Sequence, residues 1–353
     1  MSETRLVKGN SAVVVGALYG GCEAFFGYPI TPASEILHDA SMFFPRLGRV
    51  FLQAESELAA MNMVYGAAAA GRRAMTASSG PGTSLMQEAF SYIAGAELPS
   101  VMVDIVRAGP GLGNIGPEQS DYNQVVKGGG HGCYRNIVLA PDSVQEMCDM
   151  TAQAFDLAFR WRNPVVVLAD AVLGQMMEPL RFPEQAVRPN LRETDGWAAS
   201  ATPAGRRNVV TSIYLDFDEL EQLNLRLLGK YEEIQAAGGE CETFMADDAE
   251  LLIVSYGVCA RIARSAVTRC REAGLKVGLF RPQTLFPFPL SQFRELLEAD
   301  SRRLLVVELS NGQFRDDLRL ALGGVEIDLL ARYGGNLMSV DEVVEKATGV
   351  LAS

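Results

Sequence analysis

Paired cysteines are missing from this chain. Its six cysteines (Cys22, Cys133, Cys148, Cys241, Cys259 and Cys270) are scattered with no C-x-x-C spacing, and only two histidines, His38 and His131, accompany them. The sequence therefore encodes neither an iron–sulfur cluster nor a Cys/His zinc site, and the cysteines read as reduced cytosolic thiols. Basic runs are missing too. With 31 Lys and Arg against 43 Asp and Glu, the net charge of −12 repels a phosphate backbone, which excludes nucleic acid as a partner. Nor is there an uninterrupted apolar run of membrane-spanning length: residues 11–30 come nearest, but Glu23, Pro29 and four glycines break them and no clear cleavage site follows. A cytoplasmic protein with no membrane segment is expected.

What is present has the rhythm of alternating strands and helices. At 353 residues and 48% hydrophobic, the chain is long enough to bury two cores. Residues 9–21 read as a helix closed by a glycine pair, and 24–28 as a short strand opening onto Pro29-Ile-Thr-Pro32, after which Ser34 starts a second helix. Residues 73–77 read as a strand ending in the loop Ser78-Ser-Gly-Pro-Gly-Thr-Ser84, ahead of a helix over 85–94. The glycines of that loop either let backbone N–H groups approach a ligand or simply turn the chain. Residues 100–106 form a buried strand that delivers Arg107 into a glycine-rich loop, as a functional charge or as a surface arginine. Strands at 136–140 and 164–169 flank a helix over 143–160, an alternation that predicts an α/β fold with a parallel sheet. From 181 to 248 the core pattern lapses into a connector with one helix, opened by Asp216 and striped by Leu220, Leu223, Leu227, Tyr231 and Ile234. Strands at 251–256, 276–279, 303–308 and 325–330 then build a second, smaller α/β domain, closed by a helix after the capping box Ser339-Val-Asp-Glu342.

Candidate chemistry concentrates between residues 27 and 70. Glu55 and Glu57 follow the apolar run Val50-Phe-Leu and open a proline-free, small-residue segment, which reads as strand, turn and buried helix with Ser56 as N-cap. At least one acid then meets the orphan N–H groups of a helix start, either as a capping acid or as an active-site carboxylate with no solvated face to retreat to. Further on, Gly111-Leu-Gly-Asn-Ile-Gly116 matches a dinucleotide fingerprint, but Pro117 follows it and the segment lies far from the first βα unit, so that reading is rejected. His131, inside Gly128-Gly-Gly-His-Gly132, is read as a structural loop residue rather than a ligand-binding one.

Taken in order, Gly27-Tyr-Pro-Ile-Thr-Pro32, Glu55-Ser-Glu57, Thr76-Ala-Ser-Ser-Gly-Pro-Gly82, Arg107-Ala-Gly-Pro-Gly-Leu-Gly-Asn-Ile and Gly128-Gly-Gly-His-Gly132 resemble the alpha subunit of 2-oxoacid:ferredoxin oxidoreductases. Leu173-Gly-Gln-Met-Met-Glu-Pro179, Lys230-Tyr-Glu-Glu-Ile234, Phe280-Arg-Pro282 and Glu308-Leu-Ser-Asn-Gly-Gln313 extend the match to both domains, nearest to the branched-chain (3-methyl-2-oxobutanoate) type. Gly9-Asn-Ser-Ala12 departs from the pattern, because relatives usually carry Glu after Asn.

The resemblance implies a pyrimidine-type thiamin-diphosphate domain over residues 1–195, a connector over 196–247 and a transketolase-C-terminal-like domain over 248–353. It also implies that Glu57 hydrogen-bonds the aminopyrimidine ring and promotes the imino tautomer that takes the thiazolium C2 proton. Thr31 and Arg107 would hold the 2-oxoacid carboxylate, while Tyr28, Pro29, Ile30, Ser79, Gly80, Pro81 and Gly82 would line the cofactor pocket. No Gly-Asp-Gly followed by an Asn pair is present to hold Mg2+ and the diphosphate. A beta subunit is therefore expected to bring both, together with a [4Fe-4S] cluster, and further gamma and delta subunits are allowed. The implied reaction converts a 2-oxoacid and CoA to an acyl-CoA, with electrons passing to ferredoxin. The same reaction on 2-oxoglutarate, a non-catalytic α/β assembly subunit and an NAD-dependent dehydrogenase are the rival readings.

Overall fold

The structure, a computed structural model, describes residues 4–298 and 302–352. In its first part the chain forms β1 (Thr4–Lys8), α1 (Gly9–Tyr19), β2 (Ala24–Gly27), α2 (Ser34–Arg46), β3 (Val50–Gln53), α3 (Glu57–Ala69) and β4 (Ala74–Ser78). It continues through α4 (Gly80–Gly95), β5 (Ser100–Val106), β6 (Ile137–Leu139), α5 (Val144–Trp161), β7 (Pro164–Asp170), the short α6 (Ala171–Gln175) and β8 (Met177–Arg181). Six of these strands make a parallel array in the order β6-β7-β5-β4-β2-β3. Strands in such an array are covered by helices on both faces, and β5 and β7 are accordingly buried at every residue. The order reverses around β2, which is flanked by β3 on one side and β4 on the other. Reversal of this kind opens a crevice beyond the carboxyl ends of the strands, where α/β proteins collect ligands.

The second part contains α7 (Phe217–Ala236), β9 (Cys241–Phe244), β10 (Leu251–Val254), α8 (Gly257–Glu272), β11 (Val277–Pro282), β12 (Thr284–Phe286), α9 (Leu290–Glu298), β13 (Arg303–Glu308), α10 (Gln313–Ala321), β14 (Asp328–Ala331) and α11 (Val340–Ala352). Its sheet runs β14-β13-β10-β11-β9, with β9 the antiparallel edge. In α7, Leu223, Leu227, Tyr231 and Ile234 are buried as the stripe predicts, and the Asp216 carboxylate caps the helix by accepting from Asp218 N and Glu219 N, each at 3.0 Å. Leu220 is instead 41% exposed, because the packed stripe begins one turn later.

Three details depart from the sequence pattern. β1 and β8, whose charged and proline-bearing sequences give no strand signal, pair antiparallel although they are distant in the chain, Lys8 opposite Met177. β9 lies inside the expected connector, too short and polar to be read as core. β12 crosses over to pair antiparallel with β6, so the second half of the chain supplies the seventh strand of the first sheet.

Polar groups stitch the same seam. Gln119 N donates to Leu309 O at 2.8 Å, and the Gln119 amide exchanges further bonds with Leu309 N and Tyr256 O. Arg281, 2% exposed, pairs with Asp142 and Glu146 of the first part and with Glu242 of the second. Removing Arg281 would strand the Asp142 and Glu146 carboxylates, at a cost of about 3–5 kcal/mol.

Candidate active site

The expected site residues come from loops at the carboxyl ends of β2, β3, β4 and β5. After β2 the chain runs through Tyr28, Pro29, Ile30, Thr31 and Pro32; Tyr28, Pro29 and Thr31 are exposed, Ile30 is half-buried and Pro32 is buried. After β3, Ser56 is extended and its hydroxyl accepts from Ala59 N at 3.2 Å, so α3 starts at Glu57. That geometry separates the two neighbouring acids. Glu55 stays exposed in the turn, whereas Glu57, the first helical residue, is 7% exposed.

The glycine-rich segment after β4 is less of a loop than its sequence suggests. Gly80, Pro81 and Gly82 already form the first turn of α4, where the N–H groups have no partner inside the helix and the missing N–H of Pro81 costs nothing. Gly82 is required there by its neighbours. A Cβ on it would lie 2.1 Å from Ser78 Oγ and 2.7 Å from Glu57 Oε1, so the Glu57 carboxylate lies directly against this turn. Gly80 has φ +37°, and a Cβ on it would meet Arg107 Cγ at 3.5 Å. Arg107 in turn donates from Nη1 to Thr31 O at 2.9 Å and from Nη2 to Leu112 O at 3.0 Å. Thr31, Arg107, Gly80, Gly82 and Glu57 thus form one continuous line of contact. Arg107 meets Thr31 through the backbone carbonyl.

A thiamin-type cofactor needs a buried carboxylate for its ring and polar groups with spare hydrogen-bonding capacity. Glu57 meets the first condition, and the Ser78 and Ser79 hydroxyls, both buried with no hydrogen-bond partner, meet the second. These residues fit the group.

Several residues that the sequence pattern did not single out shape this edge. Asn10 donates to Pro32 O at 2.7 Å and to Glu35 Oε2 at 2.9 Å, and Gln175 donates to the same two residues at 3.2 and 2.9 Å. The departure at Gly9-Asn-Ser-Ala12 therefore includes an asparagine that fixes the turn carrying Thr31. Burial pushes the Glu35 carboxyl up, but hydrogen bonds from Gln175, Asn10 and Lys8 outweigh it and hold the pKa below the usual value. Beneath α4, Asp104 of β5 is fully buried within hydrogen-bonding reach of Asp121, close to the Gly80 N–H. Neither Asp104 oxygen nor Asp121 Oδ2 has a hydrogen bond of good geometry, although the buried Thr83 hydroxyl and the Gly80 N–H face the pair, and a proton shared between the two carboxyls fits this pattern. Burial, then the charge of Asp121, pushes Asp104 well above the usual carboxylate range, and burial pushes Asp121 up to about 6. His131 is exposed; only its backbone carbonyl is engaged, by the Ser91 hydroxyl. The Gly111–Gly116 segment opens no helix, which agrees with rejecting it as a dinucleotide fingerprint.

Two family models match the chain in succession. Pyruvate flavodoxin/ferredoxin oxidoreductase, thiamine diP-binding, covers residues 15–218, and pyruvate:ferredoxin oxidoreductase core domain II covers residues 249–343. The chain belongs to the 2-oxoacid:ferredoxin oxidoreductases. The ketoisovalerate oxidoreductase subunit VorB of Methanothermobacter thermautotrophicus is 61% identical over 343 residues, 97% of each chain. The 2-oxoglutarate synthase subunit KorA of Methanothermobacter marburgensis is 37% identical over 376 residues, 99% of this chain and 100% of that one. Among solved structures, the 2-oxoglutarate:ferredoxin oxidoreductase from Magnetococcus marinus, with 2-oxoglutarate, coenzyme A and succinyl-CoA bound, matches with a TM-score of 0.87 at 26% identity. That match covers 99% of this chain, which spans 65% of the longer one. A split-gene transketolase shares the fold at a TM-score of 0.60 and 12% identity. Membership of these oxidoreductases upholds the expected fold, a thiamin-diphosphate-binding domain followed by a smaller α/β domain, and the expected oxidoreductase class. Among the described residues no helix is long and apolar enough to cross a membrane.

Proposed function

We propose that this chain supplies the pyrimidine side of a thiamin-diphosphate site in an oxidoreductase acting on 3-methyl-2-oxobutanoate. The 2-oxoacid and CoA are converted to acyl-CoA and CO2, with the electrons passing to ferredoxin. The observation that carries this reading is the line from Thr31 through Arg107, Gly80 and Gly82 to Glu57. In it, Glu57 holds the aminopyrimidine ring and favours its protonated form, while Arg107 and Thr31 grip the substrate carboxylate. An arginine fork suits that planar anion, and Arg107 has N–H capacity beyond its two carbonyl bonds. Tyr28, Pro29, Ile30 and the turn from Ser79 to Gly82 line the cofactor. The bound cofactor supplies nucleophilic attack on the 2-oxo carbon and storage of the electron pair released with CO2. A beta subunit brings Mg2+, the diphosphate grip and the [4Fe-4S] cluster.

The pyrimidine domain is assigned to residues 1–195 and the second domain to 248–353, with β9 at the end of the intervening connector serving the second sheet. Preference for a branched aliphatic 2-oxoacid draws support from the groove beside Thr31. Pro32, Ile115, Pro117, Val172 and Met176 line it, and among the described residues its one charged lining residue, Glu35, is paired with Lys8 at 3.2 Å, so that lysine is already engaged by a carboxylate of the chain. The VorB relative points the same way.

The test is a substrate panel of 3-methyl-2-oxobutanoate, pyruvate and 2-oxoglutarate on the reconstituted complex, read by viologen reduction, with calorimetry of thiamin diphosphate on the isolated chain. The branched substrate should give the highest kcat/KM, and the isolated chain should neither bind the cofactor tightly nor reduce the dye. A preference for 2-oxoglutarate would overturn the substrate assignment; micromolar cofactor binding by the chain alone would overturn the half-site.

A further inference from the structure

The loop that follows Arg107 is short, glycine-rich and exposed at its tip, where Leu112 is 80% and Ile115 62% exposed. Its base is closed by Ala108 N donating to Gly116 O at 3.0 Å and by a bridge between Arg107 and Pro117. Because Arg107 Nη2 donates to Leu112 O within this same loop, the direction of the guanidinium depends on the loop's shape. Inside the loop, Asn114 N also donates to Ala108 O at 3.1 Å, so Asn114 lies at the centre of its shape.

A further constraint comes from the second domain, from the turn after β14. Glu118, 5% exposed at the end of the loop, accepts from Gly109 N at 2.9 Å and from the Ser120 hydroxyl at 2.6 Å, and its other oxygen accepts from Gly334 N at 2.8 Å. Asn114, near the tip, accepts from Gly116 N at 2.7 Å and donates to Gly334 O at 3.0 Å. The N–H and the carbonyl of one glycine are thus held by two side chains of the arginine loop. The backbones also touch. A Cβ on Gly335 would lie 2.7 Å from Asn114 Oδ1 and 3.1 Å from Gly116 Cα, and a Cβ on Gly116 would lie 2.7 Å from Gly335 Cα. Gly334 and Gly335 have φ of +66° and +86°, so the turn needs glycine for its conformation as well as for the approach.

We infer that the Gly334–Gly335 turn, acting through Asn114 and Glu118, is a remote positioning element for Arg107, so that the second domain sets substrate affinity without touching substrate. The domains are already joined by Gln119 to Leu309, by Tyr122 to Asp317 at 2.7 Å and by the Arg281 cluster, so this latch is not needed to dock them. Glu118 is a positioning residue here. Its carboxylate is occupied by two backbone N–H groups and one hydroxyl, which leaves it poorly suited to act on a substrate.

The inference rests on Arg107 being the carboxylate grip, and the experiment separates the two ideas. In the assembled complex, Asn114→Ala, Gly335→Ala, their combination, Glu118→Ala and Glu118→Gln are compared with Arg107→Ala. The readouts are KM and kcat for 3-methyl-2-oxobutanoate, Tm, and amide hydrogen exchange in residues 108–117. Asn114→Ala and Gly335→Ala should each raise KM about tenfold with a much smaller change in kcat, as displacement of a positioned group does. Loop exchange should speed up in both, with Tm near that of the parent in Asn114→Ala and somewhat lower in Gly335→Ala, where a side chain at φ +86° is strained. The combined variant should cost little more than either alone, because both break the same link. Glu118→Gln, which keeps acceptor capacity, should recover part of what Glu118→Ala loses. If the latch variants leave KM unchanged while Arg107→Ala raises it, the latch is wrong and the grip stands; if Arg107→Ala also leaves KM unchanged, the grip itself is wrong. A KM rise that appears only together with a collapse in Tm would make the turn a structural contact and overturn the positioning role.

Discussion

Exchanging Glu57 for glutamine, with Glu55→Gln as its neighbour control, tests the centre of the proposed site. Glu55 is exposed in the turn and Glu57 is 7% exposed at the start of α3, so the two acids share a sequence neighbourhood but not an environment. Glutamine fills the same space against Gly82. Stability loses the favourable meeting of a carboxylate with a helix N-terminus, about 0.3–1 kcal/mol, and regains part of it because a charge no longer has to be buried. Folding, assembly and cofactor occupancy should therefore survive. Catalysis should not. An amide still accepts a hydrogen bond but cannot favour the protonated pyrimidine, and loss of a general acid–base partner costs about 10²-fold or more in kcat. That is at least about 2.7 kcal/mol of barrier, well above the stability change, so the two effects are separable. Glu55→Gln should cost only the helix-terminus interaction, about 0.3–1 kcal/mol. The assay is hydrogen–deuterium exchange at C2 of the cofactor in the assembled complex, with occupancy and Tm measured on both variants. Unchanged exchange in Glu57→Gln with collapse in Glu55→Gln would mean the acids are assigned the wrong way round; unchanged exchange in both would refute the active-site reading of this stretch.

Gly82→Ala places a methyl 2.1 Å from Ser78 Oγ and 2.7 Å from Glu57 Oε1, so it should cost about 1–3 kcal/mol in overpacking and displace the Glu57 carboxylate. Its C2 exchange should fall as in Glu57→Gln, and exchange at the parental rate would show that the contact is not functional. The Asp104 and Asp121 pair predicts a pH dependence of stability. Their folded pKa values are raised, so the stability they contribute is fully present below the unfolded value, near pH 4, and is lost as pH rises through the folded values, about 6 for Asp121 and well above the usual carboxylate range for Asp104. Asp104→Asn keeps a hydrogen-bond donor toward Asp121 and removes one of these proton uptakes. Its Tm advantage over the parent should therefore grow from pH 5 to pH 8, by at most about 1.4 kcal/mol per pH unit. An advantage that shrinks as pH rises would mean that Asp104 is not the proton carrier.

Local constraints were legible in the sequence and distant ones were not. Ser56 was readable as an N-cap because its hydroxyl bonds an amide three residues on, and that cap decides which of Glu55 and Glu57 enters the helix. Buried parallel strands such as β5 and β7 announce themselves as unbroken apolar runs. By contrast, the bond from Asn114 to Gly334 joins residues 220 apart, and no periodicity encodes which glycine turn meets which loop. Asp104 was hidden for another reason: one acid in an apolar strand looks like a break in the pattern until its partner Asp121, on a different segment, is seen beside it. The helix after β4 starts at Gly80 rather than at Leu85, because Gly-Pro-Gly, the usual mark of a loop, here serves a first helical turn that Glu57 and Arg107 pack against.

The distribution of exposure across the site bears on why half of it would be given to another chain. Glu57, Ser78 and Ser79 lie on a buried floor, while Tyr28, Pro29 and Thr31 on one side and Leu112 and Ile115 on the other form an exposed and largely apolar rim. A charge-assisted bond between Arg107 and a carboxylate is weak while water reaches it and strengthens as the effective dielectric constant falls. On the proposed reading, the beta subunit that brings the diphosphate grip also covers this rim. Burying Leu112 and Ile115 would contribute about 1.5–3 kcal/mol each to assembly, and the same act would dry the arginine. Substrate binding would then be coupled to assembly through the loop that carries both the exposed apolar tip and Arg107, and the latch to Gly334 would keep that loop in one shape before the partner arrives.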